Sequence, residues 1–144
     1  MDALTFLRAH VPLFAGLSDV ALMPLAESAT LKTCAAGQSV MFVGMTVDFL
    51  HVVATGTVFV QAKVAGKGMV RLADLGTGEV FGEASMLEAT VAGATVKAGE
   101  GGAVVLLIPE AAFRRLVEEN TEFAERVRAL IARRRAPPSK PVSA

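Results

Sequence analysis

The chain has 144 residues, of which 53% are hydrophobic, enough for one closed core and too few for a second independent domain. Lysine plus arginine and aspartate plus glutamate each total 14, so the net charge is zero and no long-range field draws the chain to nucleic acid or an anionic membrane. Cys34 is the only cysteine, which excludes an internal disulfide and argues against a cysteine-built zinc site; a buried thiol in a reducing compartment is expected. The start Met1-Asp2 carries no basic segment, and the longest apolar run, Ala103 to Ile108, is far too short to span a bilayer. The expectation is a cytoplasmic protein with no membrane and no nucleic-acid partner.

Taken in chain order, Asp2 to Ala9 places Leu4 and Leu7 at helical spacing with Phe6 beside them, and Pro12 prevents continuation. Ser18 suits the N-cap of a second helix carrying Val20, Leu22 and Leu25, which Pro24 should shorten or bend. From about Ala29 to Ile108 the texture changes to short runs rich in valine, threonine and phenylalanine, punctuated by glycines, as in an all-β roll or barrel. Ala65-Gly66-Lys67-Gly68 reads as a hairpin turn between 58–64 and 69–73. Pro109 suits a first helical position, with Phe113, Leu116 and Val117 following. Asn120 should break that helix and Thr121 cap the next, in which Phe123, Val127, Leu130 and Ile131 form an apolar stripe that needs a partner surface. Arg133-Arg134-Arg135 complements the carboxyl end of that helix, and 136–144 reads as a flexible proline-rich tail beyond a domain of 1–135.

The order helix, β-roll, helices resembles the cyclic nucleotide-binding domain of catabolite-activator-type regulators and protein kinase A regulatory subunits. The resemblance covers roughly residues 10 to 132. Val11 to Ser18 is similar to the family's opening segment, and Gly44, Asp48, Leu50 and Gly56 fall where its early hairpins keep such residues. Leu75-Gly76-Thr77-Gly78-Glu79-Val80-Phe81-Gly82-Glu83, followed by Ala94-Thr95-Val96-Lys97-Ala98, looks like the phosphate-binding cassette and the strand leaving it. The resemblance implies a mainly β fold, a β-roll (double-stranded β-helix, jelly-roll-like) with short N-terminal helices and two C-terminal helices. It also implies a ligand site at Phe81, Gly82, Glu83, Ala84, Ser85, Ala92, Gly93, Ala94 and Thr95, taking cyclic AMP (cAMP) or cyclic GMP (cGMP), with no further cofactor and no metal.

A buried cyclic phosphate needs backbone N–H groups at a helix start, a glycine for close approach and usually a cation. Gly82 and the amides of Ala84 and Ser85 suit the first two if Ala84 to Leu87 form a helical turn, and the resemblance implies that the Glu83 carboxylate accepts from a ribose hydroxyl. The cation is missing: where the family places proline and arginine, this chain has Val91 and Ala92, and no arginine occurs between Arg71 and Arg114. Losing one partner of a desolvated charge pair costs roughly 2 to 5 kcal/mol. Lys97, Lys63 and Arg71 are the candidates to replace it, and Thr90 and Thr95 carry hydroxyls nearby.

Two readings stay open. One is a non-catalytic sensor in which nucleotide occupancy moves the C-terminal helices. The other is a degenerate domain of the same fold, acting as a protein-interaction or homodimerisation module through the C-terminal helix. An enzyme is not expected. The two histidines, His10 and His51, have no metal-site spacing, His51 reads as a packed core residue, and no nucleophile motif surrounds Cys34 or any serine. No helix-turn-helix follows the last helix, so DNA binding is not expected either.

Overall fold

The computed structural model describes residues 2–135. Helix α1 (Ala3–His10) starts where the Asp2 carboxylate accepts a hydrogen bond from the Thr5 amide at 2.8 Å. A 3-10 turn at Pro12–Phe14 leads to α2 (Asp19–Ser28), capped by Ser18 through the Ala21 amide. Helix α2 continues through Pro24 for ten residues, so the proline does not end it. Pro24 removes one backbone donor, and the helix keeps its hold through Leu22 and Leu25, which are fully packed in the core.

Six antiparallel strands follow as β1 (Thr30–Cys34), β2 (Ser39–Met41), β3 (Phe49–Val64), β4 (Gly68–Leu75), β5 (Val80–Phe81) and β6 (Thr95–Pro109). Between the last two lies α3 (Glu83–Glu88). Strand β6 is the hub: it pairs with β1, with β2 and along most of β3, from Phe49↔Pro109 to Gln61↔Thr95. The path β1-β6-β3-β4 is open, so this is a roll whose sheet does not close into a barrel. The hairpin foreseen at residues 65–68 joins β3 to β4, with Val64 opposite Gly68.

Two helices complete the domain, α4 (Glu110–Glu119) and α5 (Thr121–Arg135). Pro109 is the last residue of β6 and the N-cap of α4 rather than its first helical residue. Asn120, not Thr121, caps α5: its side-chain oxygen accepts from the Phe123 amide at 2.9 Å, while its own N–H closes α4 on the Leu116 carbonyl. The apolar stripe of α5 finds its surface inside the chain. Phe123 and Val127 are fully buried and Ile131 nearly so. Phe123 stacks on Phe14 at 5.6 Å and meets Phe113 edge-on at 6.0 Å, tying α5 to the 3-10 turn and to α4. Cys34 is buried. The proline-rich tail, 136–144, lies outside the described residues.

Candidate functional site

The site grows from the short strand β5. Its two residues pair with β3, Val80 opposite Val52 and Phe81 opposite His51, and the chain then turns sharply. Gly82 makes that turn with a left-handed backbone, φ +94°. A Cβ there would stand 3.1 Å from the Phe49 carbonyl oxygen and 3.2 Å from His51 Nδ1, so glycine is required both by conformation and by crowding. Gly78, also left-handed, is pinned in a second way: any Cβ would collide with the carbonyl of His10 at the end of α1.

Helix α3 begins immediately at Glu83, and a left-handed Ala89 ends it after six residues. The Thr90 amide donates to the Ser85 carbonyl and the Ser85 hydroxyl to the Val91 carbonyl, which folds the following loop back on the helix. Arg114 of α4 donates to the Met86 carbonyl at 2.8 Å and so holds the middle of α3.

Beside this turn lies a cavity of about 450 Å³, within the range typical of small-ligand sites. Phe81, Gly82, Glu83, Ala84, Ser85, Gly93 and Ala94 line it, opposite an apolar wall that includes Met41, Val60, Leu72, Leu75 and Val96. Seven of the nine residues singled out in the sequence thus share one wall. Ala92 is not among them: its side chain is packed in the core, and its backbone is bonded in both directions to the 44–45 loop. Thr95 also stands outside the wall, buried, with its hydroxyl oxygen accepting from the Val43 amide at 3.1 Å. The place that the resemblance gives to the cation is therefore a core position.

Phe81 is buried and stacks on His51 at 4.6 Å, with the rings 17° from parallel. His51 behaves as the packed residue expected from the sequence, 5% exposed. The three candidate replacement cations do not reach the cavity wall. Arg71 pairs with Asp74 and lies over the Phe59 ring, Lys97 sits near the start of β6 opposite Phe59 and Ser39, and Lys63 belongs to the β3–β4 hairpin.

Among the described residues, the cation that does reach it comes from α5. Arg134 lines the cavity and donates from one guanidinium nitrogen to Glu83 Oε1 at 2.5 Å and from the other to the Val80 carbonyl at 2.6 Å. The Glu83 side chain is 3% exposed beneath it. From the sequence alone this arginine reads as a complement to the helix end. One signal pointed further: position 134 lies three and seven residues after Ile131 and Val127, on the continuation of the buried stripe. A cation on that face requires an internal carboxylate or carbonyl partner. Among the described residues no cluster of three histidine, cysteine or acidic side chains is arranged to hold a metal ion.

Residues 31–120 match the model of the cyclic nucleotide-binding domain, and the chain belongs to that family. No curated protein sequence matches it. Among solved structures, it is similar to the regulatory domain of Toxoplasma gondii protein kinase A crystallised with cAMP (19% identity, TM-score 0.76, 91% of this chain and 47% of that one). It is also similar to the catabolite activator protein of Thermus thermophilus (28% identity, TM-score 0.73, 85% and 57%). A third neighbour is the regulatory subunit of a cAMP-independent protein kinase A from Trypanosoma cruzi bound to guanosine (21% identity, TM-score 0.77, 94% and 45%). The chain spans about half the length of these three proteins. No helix among the described residues is long and apolar enough to cross a membrane.

Proposed function

We propose that this domain is a non-catalytic sensor that takes cAMP or cGMP in the cassette cavity and passes occupancy to its C-terminal helices, in a cytoplasmic protein. The observation that carries this reading is Glu83, a carboxylate sealed at the head of α3 behind a glycine turn and on the wall of a cavity with an apolar far side. An ionised carboxylate accepts strongly from sugar hydroxyls. The first-turn amides of Ala84 and Ser85, which have no acceptor within their own helix, suit the cyclic phosphate, and Val60, Leu72 and Leu75 suit the base. Helices α4 and α5 both grip α3 directly, so a shift of the cassette reaches them in one step. The output would be read by a protein partner or a second copy of the chain.

A second reading is favoured by the engagement of Arg134 with Glu83, which leaves no free cation on the cavity wall among the described residues. A purine nucleoside keeps the sugar hydroxyls and carries no phosphate to neutralise, and guanosine is the ligand of the Trypanosoma cruzi neighbour. Titration calorimetry with cAMP, cGMP and guanosine decides between them. Saturable binding of a cyclic nucleotide that Glu83→Ala abolishes is expected. Saturable binding of guanosine alone replaces the first reading by the second, and no heat with any of the three at millimolar concentration removes both, leaving an interaction module.

A further inference from the structure

The apolar stripe of α5 ends on a charge. Arg134 stands on the last turn of the helix, and its guanidinium uses two nitrogens at once, one on the buried Glu83 carboxylate and one on the Val80 carbonyl at the start of β5. The Arg134 side chain is itself one-third exposed, so it closes the carboxylate from the solvent side. Among the described residues it is also the one shared by two crevices. On one side is the cassette cavity; on the other is a cleft of about 440 Å³ lined by Pro12, Leu13, Gly78, Leu130 and Arg133 among others.

We propose that Arg134 is a tethered competitor for the sugar end of the ligand, so that ligand binding at Glu83 and docking of the last turn of α5 exclude one another. This inference rests on the reading of the cassette cavity as a nucleotide site. A ribose hydroxyl that donates to Glu83 must come in through the space beside the carboxylate that the Arg134 guanidinium fills on the cavity wall. Giving it up strands the guanidinium's second contact as well, because one rigid fork makes both bonds. The end of α5 then leaves the cassette. The coupling is reciprocal: whatever pulls the end of α5 away strengthens ligand binding by the same factor. The opposite role, Arg134 as the phosphate's cation, predicts the opposite sign in affinity and in ligand-driven exchange.

The test is calorimetry and amide hydrogen exchange on the full chain and on Arg134→Gln, with cAMP, cGMP and guanosine as probes. If the latched form holds about nine-tenths of the molecules, freeing the site raises apparent affinity about tenfold. Ligand added to the unmodified protein should also speed exchange in residues 131–135. Arg134→Lys, which keeps a charge and gives up the fork, should gain less affinity, and it provides the same sign should Arg134→Gln lower the yield of folded protein. Unchanged or weaker affinity in these variants overturns the proposal while leaving the nucleotide reading standing. Should none of the three probes bind to either protein, the nucleotide reading fails and the latch is decided on ligand-free exchange. Faster exchange in both 82–89 and 131–135 on Arg134→Gln and on Glu83→Gln upholds the contact as a latch; unchanged exchange overturns it.

Discussion

His51 shows how one residue pays for the site's construction. Its ring is sandwiched under the glycine turn against Phe81, and its Nδ1 is buried without a hydrogen-bond partner. Burial lowers its pKa from 6.5 to about 4, the Lys32 charge adds to this, and interactions with the Phe49 and Phe81 backbone oppose it only in part. The folded protein therefore holds the neutral ring while the unfolded chain takes up a proton between about pH 6.5 and 4. More protons bound in the unfolded state means that stability rises with pH across that window. This group's contribution is complete above pH 6.5, drains as pH falls, and levels off near pH 4. The difference amounts to about 3 kcal/mol. His51→Phe, which keeps a ring against Phe81, should flatten that part of the curve: the gap between melting temperatures at pH 7.5 and 4.5 should shrink relative to the unmodified protein. An identical gap in both would show that the ring is not neutral in the fold.

Among the elements, the junction between α4 and α5 concentrates the most consequence in one side chain. Asn120 ends one helix with its backbone and begins the next with its side chain, so two helices share a single polar residue. Asn120→Ala leaves the Phe123 amide without its acceptor and should cost about 1 kcal/mol. Urea unfolding should report it as a lower midpoint at unchanged slope, the signature of a pure stability change. Helix α3 is the other element that depends on its neighbours. Six residues are too few to be stable alone, and it is held by Gly82 at one end, by Arg134 on Glu83, and by Arg114 on Met86. The cassette is thus assembled by the helices that would respond to it.

At the scale of the whole molecule, Phe123 is the point where the N-terminal turn, α4 and α5 meet. Removing its ring opens a cavity between elements far apart in sequence. Phe123→Ala should cost about 3–5 kcal/mol, seen as a fall in the unfolding midpoint much larger than that of Asn120→Ala. Because Arg134 rides on the same helix, hydrogen exchange in residues 131–135 should quicken beyond what the loss of global stability alone produces. Equal protection there would mean that the last turn is held by Arg134 independently of the aromatic cluster.

The roll, the β3–β4 hairpin and the flanking helices were legible in the sequence because each rests on local chemistry, apolar periodicity and glycines where φ must be positive, whereas the turn from Leu75 to Glu83 was legible through its resemblance to the family's cassette. Which element captures a polar group across space was not. Nothing near Ala92 in the chain shows that its side chain is enclosed by the core, and nothing in three consecutive arginines shows which of them turns inward. Arg134 meets Glu83 51 residues away only because the stripe of α5 docks on this roll and carries the guanidinium to the one buried carboxylate at the head of α3. A charge finds its partner through the packing of whole elements, and that is set by the tertiary structure alone.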